Sequence, residues 1–300
     1  MEISKITLGT AQMGMKYGIA NKNKNPNLKK SLEILNFAFT NGINCYDTAQ
    51  VYGESEKILG QFFKRKRKKP IIISKLPKIV VKERNPNFEQ VYNFMKKSLS
   101  ESTKQLEIEK LPICLLHNFS DINRYDGLIE KSLIKLKENN LVSKIGVSTY
   151  TPKEAKQFLE NKKLDTIQIP INIMDTRLIK NGIIKELKKE NKMIFARSIF
   201  LQGIVFLKPN KLPKKLIRFS KNIKKIQQIC LENNLMIEQL SFLFIRDLDE
   251  INSVVMGVDT LEQLKQNKKL LSMPSLPISI NEKILEIPQL PDRLLNPSKW

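Results

Sequence analysis

The chain contains 300 residues, 41% of them hydrophobic and 27% charged, which is typical of a globular protein that buries a sizeable core. No apolar run reaches the roughly 18–20 residues of a membrane-spanning helix, and residues 1–5 lack the apolar stretch of a secretory signal, so we expect no membrane segment. The net charge is +22, but the lysines are spread over almost every predicted helix, a distribution that indicates a solvated basic surface.

Short apolar segments alternate with amphipathic segments of helical period along the chain. The predicted strands cover residues 6–9, 43–46, 70–75, 113–117, 144–148, 166–169, 193–197 and 253–257. The predicted helices cover residues 28–40, 55–63, 88–105, 126–139, a segment that begins at 152, 176–190, 216–248 with a break near 233–234, and a segment that begins at 260. Residues 21–27 predict a polar loop, and Thr151 with Glu154 predicts a capping box in front of the fifth helix.

Strict alternation of strand and helix indicates a parallel sheet, and eight such units in a chain of this length favour a closed barrel. The open, doubly wound alternative would need a glycine-rich phosphate turn after the first strand, and residues 9–14 lack the G-x-G-x-x-G spacing. We therefore predict an α/β protein with a single (β/α)8 TIM barrel over residues 1–270. The proline-rich tail, residues 271–300, is predicted to be extended and irregular and to pack on the barrel.

Polar side chains close three successive predicted strands, at the end where a βα barrel carries its functional groups. Asp47, Lys75 and His117 stand at these strand ends, and Tyr52 lies in the loop that follows Asp47. Each residue taken singly has an ordinary explanation, as a cap, a solvated lysine or a packed histidine. Their occurrence together at matching strand ends predicts one site at the barrel mouth.

These four residues suit proton transfer to a carbonyl oxygen. A phenol has a pKa near 10, roughly three units above neutrality, and we expect the ammonium of Lys75 to lower the pKa of Tyr52. Asp47 would keep Lys75 charged and oriented, while His117 would hold the substrate oxygen. An acid of this kind needs a hydride donor, so a nicotinamide cofactor is predicted.

The chain resembles the aldo-keto reductase superfamily, in its bacterial branch, over about residues 3–270. The resemblance is carried by Leu-Gly-Thr-Ala-Gln at 8–12, Asp-Thr-Ala at 47–49 with Tyr-Gly at 52–53, Ser-Lys at 74–75, Leu-His at 116–117 and Gly-Val-Ser at 146–148. It implies a (β/α)8 barrel and NAD(P)H-dependent carbonyl reduction, with Tyr52 as the acid and the cofactor extended across the rim. Residues 8–12 followed by Tyr-Gly-Ile-Ala at 17–20 resemble members associated with surface polysaccharides, which makes a sugar or sugar derivative one expected substrate.

The same resemblance assigns the cofactor contacts. These are Gly9, Thr10, Asp47, Ser148, Thr149, Gln168, Arg197, Ser198, Phe200, Gly257, Gln263 and Asn267. Arg197 occupies a position where many members stack an aromatic ring on the nicotinamide, and its guanidinium would either stack likewise or grip an anionic substrate. Gly257 and Gln263 occupy positions where basic side chains often clamp the 2′-phosphate of NADPH. We expect NADP(H), with NAD(H) as the alternative, and expect the N-terminus of the last barrel helix to be able to hold a phosphate.

The remaining expectations concern partners and location. The three cysteines are far apart and lie in apolar segments without metal-ligand spacing, so we expect reduced thiols, a cytoplasmic protein and no metal site. We expect a small-molecule carbonyl substrate and no specific nucleic-acid partner, because the densest basic run, residues 64–69, contains no aromatic residue. Two alternatives stay open: a non-catalytic, nicotinamide-binding regulatory barrel, and a nucleic-acid-associated protein, which would require salt-sensitive binding.

Overall fold

The protein is described by a computed structural model that covers residues 1–19 and 26–300. Most of the predicted polar loop, residues 21–25, lies outside the described residues, as does residue 20 of the 17–20 motif. None of the described helices is both long enough and apolar enough to cross a membrane.

Eight strands alternate with helices in the order that the sequence predicts. The strands are β1 (Ile6–Gly9), β2 (Cys45–Asp47), β3 (Ile71–Leu76), β4 (Leu111–Leu116), β5 (Val142–Ser148), β6 (Thr166–Pro170), β7 (Met193–Arg197) and β8 (Ser253–Gly257). The helices are α1 (Ala11–Gly14), α2 (Leu28–Thr40), α3 (Ser55–Phe63), α4 (Phe88–Leu106), α5 (Leu128–Glu138), α6 (Pro152–Glu160), α7 (Arg177–Lys180), α8 (Ile183–Lys189), α9 (Ser220–Glu232), α10 (Ile237–Arg246), α11 (Leu261–Lys269), α12 (Ile278–Leu285) and α13 (Asp292–Leu295). Short 3-10 segments lie at Phe119–Asp121, Leu201–Phe206, Pro209–Lys211, Lys214–Phe219, Leu270–Ser272 and Pro297–Lys299.

The sheet closes on itself. Each strand pairs in parallel with the next one along the chain, and β8 pairs with β1, where Gly9 lies opposite Gly257. The predicted (β/α)8 barrel is therefore confirmed. The predicted capping box is confirmed as well, since the Thr151 hydroxyl accepts from the Glu154 amide while the Glu154 carboxylate accepts from the Thr151 amide.

Two hydrophobic layers hold the barrel together. A small cluster fills the barrel interior, and it consists of Cys45, Ile73, Ile113, Leu115 and Phe195. A much larger cluster joins the outer faces of the strands to the helices, with Tyr46, Ile72 and Cys114 among its members. Successive side chains of a strand point to opposite faces, so the residue two positions after an interior residue also faces the interior, nearer the rim. Asp47 therefore follows Cys45 on the inner face, and Lys75 follows Ile73.

Two helical predictions needed correction in detail. The helix predicted over 176–190 is two helices, α7 and α8, because Gly182 adopts a left-handed conformation with φ 75°. The segment predicted over 216–248 begins as a 3-10 turn, and it breaks between α9 and α10 at the predicted asparagines.

The tail is less irregular than predicted, because it contains α12 and α13. Pro277 precedes α12, where its missing N–H costs no hydrogen bond, and Ile280 and Ile284 bury one face of that helix. The tail also contacts the barrel layer directly. Arg177 forms an ion pair with Asp292 of the tail at 2.5 Å. The Trp300 ring packs edge-on against the Phe219 ring, with 6.0 Å between the ring centres.

Candidate active site

The centre of the barrel mouth is a buried ion pair. Lys75 donates from Nζ to both carboxylate oxygens of Asp47 at 2.7 Å and to the Thr48 carbonyl at 2.9 Å, so its three hydrogens are all used. The side chains of Lys75 and Asp47 are only 1% and 6% exposed. Gln168, from β6, adds a further hydrogen bond from Nε2 to Asp47 Oδ1 at 2.7 Å. The pair is thus fixed by groups from three separate strands.

The loop that carries Tyr52 is held in place by close backbone packing. A side chain on Gly14 would place its Cβ 1.7 Å from the Tyr52 carbonyl oxygen, so only glycine fits there. Gly53 adopts φ +55°, a conformation that favours glycine. A Cβ added to Gly53 would lie 2.3 Å from the Gly14 carbonyl oxygen. The Ser55 hydroxyl, 2.6 Å from Thr10 Oγ1, anchors the end of the loop. These contacts fix the position of Tyr52 above the ion pair.

Tyr52, Lys75 and His117 converge as the sequence predicts. The Lys75 ammonium lies 5.1 Å from the centre of the Tyr52 ring. The His117 ring meets the Tyr52 ring edge-on, with 5.8 Å between the ring centres and 87° between the planes. Strand bounds differ slightly from prediction, since His117 directly follows β4 and does not end it. The four predicted residues are therefore gathered at one end of the barrel.

The pKa of Tyr52 is raised, and the predicted lowering by Lys75 is wrong for this structure. Burial is the main cause, and the negative charge of Asp47 adds to it. Lys75 is fully paired with Asp47, so the positive charge of the lysine is offset before it reaches the phenol. The cation that does lower the pKa of Tyr52 is Arg197. The phenol consequently stays protonated at neutral pH.

His117 is held neutral. Burial lowers the pKa of this imidazole to about 3, and the charges of Lys75 and Arg197 act in the same direction. A neutral imidazole has one N–H to donate and one nitrogen to accept with. It can therefore orient an oxygen at the mouth without adding a charge.

Arg197, the last residue of β7, is fixed by four groups. Its Nη2 donates to the Thr149 carbonyl at 2.8 Å, Nη1 donates to Ser198 Oγ at 3.0 Å, and Nε donates to Ser148 Oγ at 3.3 Å. The guanidinium also lies 4.3 Å from the centre of the Tyr150 ring. The guanidinium thus stacks on a ring of the protein itself, and the two expected roles of Arg197, stacking on the nicotinamide or gripping an anionic substrate, stay predictions. Tyr150 is a site residue that the sequence analysis missed, because no strand-end motif marks it.

A groove of about 420 Å³ runs from the ion pair to α11. Ten of the twelve predicted cofactor residues line it, namely Gly9, Thr10, Asp47, Gln168, Arg197, Ser198, Phe200, Gly257, Gln263 and Asn267. Ser148 and Thr149 do not line the groove, since Ser148 bonds Arg197 and the Thr149 hydroxyl donates to the Gln168 carbonyl at 3.4 Å. Lining residues that the sequence analysis missed include Gln12, Tyr17, Phe206 and Glu238.

One wall of the groove is a strained loop. Ser198, Leu201 and Gln202, which follow β7, adopt φ values of 60°, 44° and 53°. Residues other than glycine rarely adopt this left-handed conformation, and such strain is concentrated at functional sites. The Asn172 amide, beyond β6, donates to the Ser198 carbonyl at 3.2 Å and helps to hold the loop. A run of positive φ values at non-glycine residues has no sequence signature, so this feature could not be predicted.

The fold defines the class of the protein as a (β/α)8 barrel with a buried polar site at its mouth. The chain belongs to the aldo/keto reductase family, whose sequence profile matches residues 5–287.

Similar proteins come from several bacteria. The chain is 22% identical over 285 residues to the uncharacterized oxidoreductase YqkF of Bacillus subtilis (strain 168), covering 89% of this chain and 87% of YqkF. It is 22% identical over 260 residues to the NADH-specific methylglyoxal reductase of Escherichia coli (strain K12), covering 77% of this chain and 79% of that protein. Among solved structures, the fold matches the holo form of the aldo-keto reductase AKR11C1 from Bacillus halodurans with a TM-score of 0.75 at 18% identity, covering 95% and 92% of the two chains.

Proposed function

We propose that the protein reduces an aldehyde or ketone to an alcohol by hydride transfer from a reduced nicotinamide dinucleotide, with Tyr52 as the general acid. The observation that carries this proposal is a phenol kept protonated beside the neutral His117 and above the Lys75 ammonium. A barrel that only bound a nucleotide would have no use for this arrangement. The long groove that opens beside Tyr52 supports the binding of an extended cofactor.

The groove fits a nicotinamide dinucleotide in its chemistry. Near the ion pair, Gln168 and Ser198 provide amide and hydroxyl groups, and Arg197 provides a planar face. At the other end, Gln263 and Asn267 provide amide groups for the adenosine half. When it is bound, the dihydronicotinamide supplies a hydride. The sequence predicts NADP(H) with NAD(H) as the alternative, and both share this chemistry.

The reaction assigns a separate task to each residue. The carbonyl carbon gains the hydride, and the carbonyl oxygen gains the proton of the Tyr52 hydroxyl, so that an alcohol forms and a phenolate is left. The neutral His117 donates its N–H to the same oxygen and so fixes its direction toward Tyr52. Arg197, the cation that lowers the pKa of Tyr52, stabilises the phenolate until it regains a proton from solvent, while Lys75, held by Asp47, lies beneath the ring.

The substrate is proposed to be a small polar carbonyl compound, such as a sugar or sugar derivative. The groove places Tyr17 and Phe200 beside polar groups such as Gln202, and mixed aromatic and amide surfaces suit hydroxylated carbon chains. The Escherichia coli relative is a methylglyoxal reductase, which supports a small carbonyl substrate. We also propose a cytoplasmic location, which the three buried, unpaired cysteine thiols support.

The test is the substitution Tyr52→Phe, which removes the transferable proton and keeps the ring. We expect carbonyl reduction to fall by about 10²–10⁴-fold while cofactor affinity stays within threefold of wild type, since the acid acts on the substrate oxygen alone. Tyr92→Phe is the matched control, because it deletes a phenol that accepts from Asn139 at 2.6 Å in the helical layer. Full activity of Tyr52→Phe on a panel of aldoses and small aldehydes would refute the assignment of Tyr52.

A further inference from the structure

We infer that the adenosine end of the groove selects NADH over NADPH. This inference rests on the proposed function, since it concerns the cofactor of the same site. It reverses the sequence-based expectation of NADP(H), and four features of the described residues support it.

The first feature is that the described residues at this end of the groove include no basic clamp for a 2′-phosphate. Gly257 and Gln263, which face the groove at the end of β8 and on α11, carry no charge. Gln12 fills the space in front of Gly257, because a Cβ on that glycine would lie 2.4 Å from its side-chain amide. Among the described lining residues, Arg197 is the one lysine or arginine. A phosphate at this end would therefore find no cation on the described wall.

The second feature is the capping of α11 by its own side chains. Gln263 Oε1 accepts from the backbone amides of Asp259 at 2.7 Å and Thr260 at 3.3 Å. The Thr260 hydroxyl accepts from the Gln263 amide at 3.2 Å. The amides of Asp259 and Thr260, just before α11, and of Gln263, in its first turn, are thus already satisfied by side chains. Gln263, which stands at the clamp position, therefore uses its side-chain oxygen to cap α11.

The third feature is negative charge. Glu238 and Asp259 both line the groove. Glu238 lies in the first turn of α10, and the next residue, Gln239, donates to Met273 Sδ at 3.6 Å just beyond the end of α11. The Glu238 carboxylate therefore lies in the wall of the groove on the side of α10. Carboxylates accept hydrogen bonds from ribose hydroxyls and repel a 2′-phosphate, which is the discrimination that dinucleotide-binding proteins achieve with an acidic residue.

The fourth feature is the position of Arg197. Its guanidinium is tied to Ser148, Thr149 and Ser198 and stacked on Tyr150, all at the mouth end of the groove. It cannot reach the adenosine ribose without breaking these contacts. The general positive charge of the surface does not discriminate either, because NADH and NADPH share the diphosphate that it attracts and exposed charges are screened within about 10 Å at 0.1 M salt.

The experiment is a fluorescence titration of the full chain with NADH and with NADPH at one ionic strength. We expect NADH to bind at least tenfold more tightly than NADPH. Gln263→Arg, which removes the cap and installs a cation, should tighten NADPH binding by about tenfold and so narrow the preference for NADH. Glu238→Gln should reduce the preference for NADH over NADPH. Glu282→Gln, on the exposed face of α12, is the matched control for loss of one carboxylate and should leave that preference unchanged.

The outcomes separate this inference from the proposed function. Equal or tighter binding of NADPH by the wild-type protein, with carbonyl reduction retained, would overturn the inference alone. A preference for NADH that Gln263→Arg and Glu238→Gln leave intact would overturn the assignment to this end of the groove. Failure of both dinucleotides to bind would overturn the proposed function together with the inference.

Discussion

Removal of the Lys75 ammonium should be one of the most damaging single changes at the barrel mouth. Lys75→Met keeps the length of the side chain and deletes three hydrogen bonds, two to Asp47 at 2.7 Å and one to Thr48 at 2.9 Å. The Asp47 carboxylate is 6% exposed, so the variant leaves a buried charge with Gln168 as its remaining side-chain partner. Breaking a buried pair in this way costs about 3–5 kcal/mol. Unfolding by urea, monitored by circular dichroism, measures this loss directly.

A second ion pair of the same geometry serves as the control. Lys137 donates to both oxygens of Asp165 at 2.7 Å, but its side chain is 37% exposed. Lys137→Met should therefore lower the free energy of unfolding by about 1 kcal/mol or less, because water replaces the lost partner. The double variant Asp47→Asn with Lys75→Met removes the unpaired charge and should recover most of the loss. Equal costs for Lys75→Met and Lys137→Met would refute the reasoning from burial.

Two further predictions concern His117 and the Tyr52 loop. His117 is the only histidine, and its pKa is lowered to about 3 in the folded state, so the unfolded chain takes up a proton first as the pH falls below about 6.5. The free energy of unfolding should therefore decrease from pH 6.5 toward pH 3. His117→Asn should remove the part of this decrease that is due to His117. Parallel pH profiles of the wild-type protein and His117→Asn in urea titrations would contradict this. Gly14→Ala places a Cβ 1.7 Å from the Tyr52 carbonyl and should displace the phenol, reducing kcat for carbonyl reduction by about 100-fold. Gly42→Ala strains a residue at φ +81° but meets no atom within 4 Å, so it controls for backbone strain without a clash against the Tyr52 loop. It should keep kcat near wild type, and equal kcat values for the two variants would contradict the packing argument.

The barrel and three residues at its mouth, Asp47, Lys75 and His117, could be predicted because they follow from periodicity, whereas Tyr52 lies in a loop and was joined to them by the chemistry that the four suit. Strands covered on both faces appear as apolar runs, and the first polar residue on the inner face marks the rim, as Asp47 and Lys75 do. The tail was harder to predict, since its prolines suggested irregular chain while Ile280 and Ile284 in fact pack as one face of α12. Prolines in front of a helix and prolines in a disordered segment look alike in composition.

The electrostatics of the site depend on contacts that no spacing encodes. The sequence places Lys75 near Tyr52. Only the structure shows that Asp47 offsets the charge of Lys75, so that Arg197 is the cation that lowers the pKa of the Tyr52 phenol. The stack of Arg197 on Tyr150 likewise depends on rotamers of two residues 47 positions apart, with the ring 4.3 Å from the guanidinium. The capping of α11 by Gln263 is another such case, because a glutamine at a clamp position could equally extend into the groove.

The hydrogen bond between Gln168 and Asp47 joins residues 121 positions apart. This bond forms only after β6 has docked into a sheet that already contains β2. A barrel with only its first four strands assembled would contain the Asp47 carboxylate and the Lys75 amine but not the Gln168 amide that binds the carboxylate. Turnover would accordingly report on ring closure itself, and fragments from either half should regain catalysis only on recombining into a whole barrel.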